Sequence, residues 1–309
     1  MIGTTGILYY SLSNTSHNNT PNQQDASPAS HPKYIGSIKG EGDDRLKAPM
    51  AVTVADTGLF VADSGNSKLD IFTQTGTLEQ SVKIALKSGS NYPVGVAVDM
   101  GRRIYVSTIG TTGRIVVYNA HGTYLYTFPD GASNDASVYA APVKPIAIYA
   151  ANRKLYTTDV IDQDVKVYDY SGKLVTRFGR PGSEKGEFLY PNGIAADKDG
   201  TIFVSDSNNA RIQVFSSKGE FLYQFSGTEK NSLSLPRGIA FDNTGRIHVV
   251  DTFKHKVFVF TKKGNLLFTY GGFGSDDGKL AYPNGIAIDA KTGTIFIADK
   301  LNNRITMWR

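Results

Sequence analysis

Between Tyr190 and Phe215 the chain reads YPNGIAADKDGTIFVSDSNNARIQVF, and the same pattern returns five more times. A repeat of this length constrains the fold strongly, because one copy cannot bury its apolar face alone and must stack on the next. Within the stretch, Pro191 and Gly193 are expected to mark a turn, since proline fixes φ and glycine tolerates φ above zero. Ile194 to Asp197 reads as a short strand and Lys198-Asp199-Gly200 as a tight turn. Thr201 to Ser205 is β-branched and aromatic, which suits a second strand. Asp206 to Asn209 is a polar loop, Arg211 to Phe215 a third strand, and Ser217-Lys218-Gly219 turns the chain into a fourth at Phe221 to Phe225. The expected unit is a four-stranded antiparallel meander with no helix.

Three markers hold that unit in register. Turn prolines at Pro49, Pro93, Pro142, Pro191, Pro236 and Pro283 are spaced 44, 49, 49, 45 and 47 residues apart. An aromatic closes each third strand, at Phe72, Tyr118, Tyr168, Phe215, Phe260 and Trp308. Glycine follows four residues after the first five of these, at Gly76, Gly122, Gly172, Gly219 and Gly264. Four strands per copy at this period mean a propeller rather than a solenoid. Small residues at matched first-strand positions (Thr53, Ala97, Ala147, Ala195, Ala240, Ala287) agree, since wedge-shaped blades leave little room near the axis. The fold class is therefore all-β: a six-bladed β-propeller of four-stranded antiparallel blades.

The ends carry a further expectation. The sixth copy stops at Arg309, after its third strand, while Tyr34 to Lys47 resembles a fourth strand and loop without the rest of a blade. Its sequence, YIGSIKGEGDDRLK, compares with LLFTYGGFGSDDGKL at Leu266 to Leu280. An N-terminal strand is expected to complete the last blade and close the ring, removing an open edge. The propeller is placed at residues 33–309. Residues 1–32, rich in Ser, Asn, Thr and Pro, read as a disordered polar leader or the remnant of a signal or anchor.

Composition narrows the chemistry. With no cysteine, disulfides, zinc ribbons and thiol nucleophiles are excluded. A net charge of +5 is spread along the chain rather than clustered as in most nucleic-acid binders. No apolar run is long enough to span a membrane. The sequons at Asn14 and Asn18 fit an extracellular or membrane-tethered location, which is expected over a cytoplasmic one.

The residues also carry a family resemblance. IFVSDSNNARIQVF, VADSGNSKLDIF at Val61 to Phe72, and PNGIAID at Pro283 to Asp289 resemble NHL repeats, as do VVDTFKHKVFVF and IADKLNNRITMW. Copy two departs with Ser107-Thr108 where Asp is usual, and copy three with Pro145 for Gly and Asp162-Gln163-Asp164 in the loop. The resemblance implies a six-bladed propeller that acts as a protein-interaction platform or an extracytoplasmic sensor. Some NHL propellers are lyases with metal-bound histidines, some follow RING fingers, and some hold single-stranded RNA. The histidine set and the cysteines those first two roles need are missing from this sequence.

Candidate chemistry is sparse. The repeated acid at each second-strand end (Asp63, Asp159, Asp206, Asp251, Asp299) reads as a loop hydrogen-bond acceptor facing Lys68, Arg211, Lys256 or Arg304, rather than as a metal or catalytic set. The five histidines do not converge; only His255 falls in a loop on the expected binding face. No catalytic residue, metal ligand or cofactor is assigned. The face formed by the loops before strand one and between strands two and three is the expected binding surface. Lys144, Asn192, Arg237 and Asn284 ring the channel mouth there, beside Met50 and Val94, with Tyr190, Tyr282, Arg211, Phe253, Lys254 and Arg304 nearby. Tyrosine and arginine favour such interfaces. The expectation is a monomeric, non-enzymatic binding or scaffold module for a protein, peptide or glycan. A metal-dependent propeller lyase or hydrolase is the alternative, and single-stranded RNA binding the second.

Overall fold

Alternating apolar strands broken by glycine turns can satisfy their backbone groups only by pairing with neighbours, and here each copy pairs with itself. A computed structural model describes residues 31–84, 91–110, 113–128 and 144–309. The leader up to residue 30, with His17 and both sequons, and Pro142 lie outside the described residues.

Six four-stranded antiparallel sheets occupy residues 49–83, 91–128, 145–178, 191–225, 236–271, and 283–308 with 34–38. In the sixth sheet the strand Tyr34–Ile38 takes the outer place beside Arg304–Trp308, opposite Pro283–Ile288. Closure by the N-terminal strand is thus present in the structure. Lys33 and Arg309 exchange backbone bonds of 2.7 and 2.9 Å, and the Tyr34 ring meets Trp308 edge-on at 5.8 Å. The compact unit begins at His31, whose ring lies 4.5 Å from Phe268, two residues before the expected boundary.

The outer aromatics Phe72, Tyr118, Tyr168, Phe215, Phe260 and Trp308 are all buried between blades. Each glycine four residues later has φ above zero and closes a turn, as Gly219 N–H does on Ser216 O at 2.9 Å.

Three expectations need correction. Pro191 and Gly193 lie in the first strand, Pro191–Ala196, rather than in a turn before it. Pro191 pairs with Asp206, and the register slips between Pro191 and Gly193, so the turn residues form a bulge inside the ladder. The third blade is anchored by Pro145, which pairs with Asp159 as Pro191 pairs with Asp206. Measured from Pro145, the spacing to Pro93 is 52 and to Pro191 is 46, so an insertion before the third blade had displaced the sequence register. Ala147 therefore holds the slot of Gly193, and the small inner position expected to be Ala147 is Tyr149, which pairs with Tyr156. Finally, the repeat is not wholly free of helix: single 3₁₀ turns occur at Gly42–Asp44, Ser64–Asn66, Ser207–Asn209 and Lys300–Asn302. The last three follow the second-strand aspartate and end on a left-handed residue (Ser67, Ala210, Asn303) that turns the chain into strand three.

The glycine of the P-N-G segment has a packing reason. A Cβ on Gly193 would lie 1.8 Å from the Arg237 carbonyl oxygen of the next blade, and one on Gly285 would lie 2.7 Å from Ala51 Cα. Adjacent inner strands approach that closely at the mouth of the channel. Ser205 Oγ, donating to Arg237 O at 2.6 Å, and Asn284 Nδ2, donating to Met50 O at 2.7 Å, tie blade to blade there.

Candidate functional site

The first-strand bulge recurs in all six blades, and the residue after each proline lines the channel cavity in five of them, Arg237 being the exception. These residues are Met50, Val94, Ile146, Asn192, Arg237 and Asn284. The third-blade member is Ile146, not Lys144: the register set by Pro145 places Lys144 one residue outside the strand. Lys144 instead gives its backbone N–H to Asp159 at 3.1 Å. The channel holds a cavity of about 260 Å³ lined by first-strand residues of every blade, and no Asp, Glu, His, Lys or Arg lines it. Among the described residues, no group of three or more His, Asp or Glu is placed to hold a metal ion.

The strand-end aspartates Asp63, Asp159, Asp206, Asp251 and Asp299 are fully buried and act on the loop that precedes their own blade. Asp206 accepts from Leu189 N at 2.7 Å, Asp299 from Ala281 N at 2.6 Å, and Asp251 from Ser234 N at 2.6 Å. Arg211 donates to Asp206 at 2.8 Å and Arg304 to Asp299 at 2.7 Å. Both guanidinium groups also hold loop carbonyls, of Glu184 and Glu187 or of Asp276 and Lys279, and both residues are buried. Arg211 and Arg304 are therefore engaged inside the fold rather than offered at the rim. Lys68 turns away from Asp63 to Asp44, at 3.3 Å.

In the third blade Lys166 is fully buried against Asp162 and Asp164, each at 2.7 Å, with Asp159 at 3.5 Å. Burial raises the Asp159 carboxyl, but Lys166 and three backbone N–H groups outweigh it and hold the group below the ordinary carboxylate range. His248 is buried between Asp242 and Tyr270, and burial lowers its pKa. His255 accepts from Tyr282 N at 3.0 Å, its pKa likewise lowered by burial.

Of the remaining predicted residues, Phe253 lies against Tyr282 and Asn192 against Tyr190, as two separate groups. Tyr190 and Tyr282 stand half out of the surface at φ +55 and +51, a left-handed backbone directly before proline that costs strain. Phe253 is 58% exposed and its ring meets Tyr282 edge-on at 6.4 Å. Lys254 is exposed beside it. Asn192 donates to Tyr190 O at 2.8 Å. Sequence reasoning missed Phe273, which packs on His255 at 4.7 Å.

Both faces carry exposed apolar residues, and those of the mouth face sit mainly in loops. Tyr92, Ile161, Leu189, Tyr190, Phe253, Phe273, Tyr282 and Leu301 are large apolar residues exposed in loops of the mouth face or at strand ends on it. The opposite face has Met100 in a turn, Tyr124 at the start of its strand, and Leu125, Val175, Leu222 and Leu267 at the second position of their strands. A groove of about 730 Å³ does open there, lined by Tyr149 and Phe241 from the channel and by exposed Lys198, with its other charges paired: Lys262 with Asp197 at 2.9 Å, Arg246 with Asp242 at 2.6 Å.

A closed ring of six sheets with this bulged P-x-G mouth defines a six-bladed β-propeller. The NHL repeat model matches residues 188–215, and a family described as a 6-bladed beta-propeller matches 226–308. It is similar to Tripartite motif-containing protein 3 of Mus musculus, 45% identical over 67 residues, which are 22% of this chain and 9% of that protein. Tripartite motif-containing protein 2 of Homo sapiens is 44% identical over 52 residues, covering 17% of this chain and 7% of that protein. The chain spans less than a tenth of these curated relatives. Among solved structures, a streptogramin B lyase superposes with a TM-score of 0.64 at 14% identity, covering 90% of this chain and 98% of the lyase. A catalytically inactive virginiamycin B lyase variant from Staphylococcus aureus, solved with quinupristin, gives 0.59 at 16%, covering 89% and 87%. At such identity the likeness is one of fold alone.

Proposed function

We propose that the chain is a binding module whose channel-mouth face receives a protein or peptide. The observation that carries this reading is the cluster of exposed aromatics Phe253, Phe273 and Tyr282 gathered around His255 on the mouth face. Scattered apolar residues are ordinary on any surface, whereas their gathering into one cluster marks a contact site. Tyr190 and Tyr282 are held in strained left-handed backbone that turns them outward, which fits display better than packing. No Asp, Glu, His, Lys or Arg lines the channel cavity, whose polar side chains are Thr53, Tyr149, Asn192 and Asn284, and this favours binding over carboxylate- or histidine-based chemistry there.

Photocrosslinking tests the face directly. A benzoylphenylalanine in place of Phe253 is expected to give discrete protein adducts in cells, and these should vanish when Tyr282→Asp is added. The same group in place of Lys218, in an outer turn of the opposite face, should give none. Equal labelling from both faces, or none from Phe253, rejects the reading.

A further inference from the structure

The repeat breaks at two points of the inner wall, and both open on one groove. Where the other blades carry Thr53, Ala97, Ala195, Ala240 and Ala287, the third carries Tyr149. One step further along the first strand, Val54, Val98, Ala150, Ala196 and Ile288 are aliphatic, and the fifth blade carries Phe241. Every other blade closes without an aromatic in either slot, so the fold does not demand these two rings. Both are half-buried, and both line the channel cavity as well as the groove of about 730 Å³ on the opposite face.

The polar rim of that groove has spent its carboxylates and kept its donors. Asp197 takes the Asp199 and Thr201 N–H groups on one oxygen and the Lys262 ammonium on the other, at 2.9 Å. Asp242 takes Thr244 and the Arg246 N–H on one oxygen, while the other meets Arg246 Nε at 2.6 Å and His248 Nε2 at 3.2 Å. Arg246 uses only Nε of its guanidinium in this way, and its terminal nitrogens have no hydrogen-bond partner among the described residues. Lys262, with Asp199 at 3.8 Å as a second neighbour, keeps 42% of its side chain exposed. Its hydrogen bond to Asp197 raises its pKa, so it stays charged. Lys198 is exposed and makes no ion pair among the described residues, and the Tyr149 hydroxyl has no hydrogen-bond partner there.

We propose that this groove is a binding site for a small aromatic carboxylic acid, whose ring lies against Tyr149 and Phe241 and whose carboxylate is taken by Lys198, Lys262 and Arg246. The volume suits a small molecule, and aromatic walls with a few convergent polar groups are the usual make-up of such sites. Flat rings pack on aromatic faces and edges, and hydrogen bonds from cations to a carboxylate are about twice as strong as neutral ones. The groove lies on the face away from Phe253 and Tyr282, so it stands independently of the protein-binding reading.

Calorimetric titration of the full chain tests the site. The probes are indole-3-acetate, its neutral amide indole-3-acetamide, acetate as a carboxylate without a ring, and sodium chloride at matched ionic strength. One saturable equivalent of indole-3-acetate is expected, with the amide and acetate each weaker by about tenfold or more. Tyr149→Ala installs the residue that four other blades carry and should weaken indole-3-acetate about tenfold. Phe241→Val, with the residue of the first two blades, reads the same wall should that variant fail to fold. Lys198 lines the groove and not the channel cavity, so Lys198→Met, expected to weaken binding about threefold, separates the two spaces. Absent or non-saturating heat, heat that chloride reproduces, or equal binding of the amide overturns the proposal. Affinity lost in Tyr149→Ala but unchanged in Lys198→Met would put the ligand in the channel and overturn the groove assignment.

Discussion

A single aspartate at the end of strand two does much of the local work. Asp206, itself without access to water, takes the Leu189 N–H, the Asn209 amide and the Arg211 guanidinium. Asp206→Ala would leave Arg211 as a buried charge with no counter-ion, at a cost of about 3–5 kcal/mol by the usual cost of breaking a buried pair. Urea unfolding should show that loss; a change below about 1 kcal/mol would mean that the pair matters little. The recurrence of this aspartate was plain in the sequence, and its structural role follows from its chemistry. Its partners were not legible. Lys68 and Arg211 occupy the same repeat position, yet one reaches Asp44 and the other Asp206, because the preceding loops differ.

At the scale of the blade, the first differs from the rest by placing a second acid, Asp70, against Asp63. Both are buried; Ser81 donates to Asp70 at 2.5 Å and Lys47 N to Asp63 at 2.8 Å. The fourth blade has Gln213 in the place of Asp70, donating to its own Asp206. Burial first, and then the Asp70 charge, pushes the Asp63 carboxyl up to about 7, and burial raises Asp70 too. Groups that bind protons more tightly when folded stabilise fully below the unfolded pKa of about 4 and lose that contribution as pH rises through about 7. Asp70→Asn should therefore melt close to wild type at pH 5 and above it at pH 8.5, by on the order of 1–2 kcal/mol. A pH-independent offset would reject the coupling. Blade boundaries, too, were legible only where the period held. The inserted stretch before the third blade shifted the apparent anchor from Pro145 to Pro142, and with it Lys144 and Ala147. Only the pairing of Pro145 with Asp159 restores the register.

For the whole molecule, the closing strand decides whether there is a ring at all. Tyr34 and Ile38 face Trp308 and Ile305 across the last pair of strands, and without them the Arg304–Trp308 edge is bare. Deleting residues 1–39 should lower the melting point by about 10 °C or more, or leave the protein insoluble. Deleting residues 1–30 keeps that strand and serves as the matched control; equal behaviour of the two would sink the clasp.

The linear order of residues was enough to set the number of blades, the four strands in each and the swapped closing strand. Those depend on periodic side-chain size and on turn chemistry, which are local and repeat themselves. It also carried an unused sign of the apolar plugs Leu46, Phe188, Leu233 and Leu280, each buried three residues before a first-strand proline. What only the folded ring decided is which charges are spent and which are free. Arg211, Arg237 and Arg304 look alike along the chain. Two meet a carboxylate at the end of the neighbouring strand of their own blade, and Arg237 meets none among the described residues, because compensation depends on which strand pairs beside each cation.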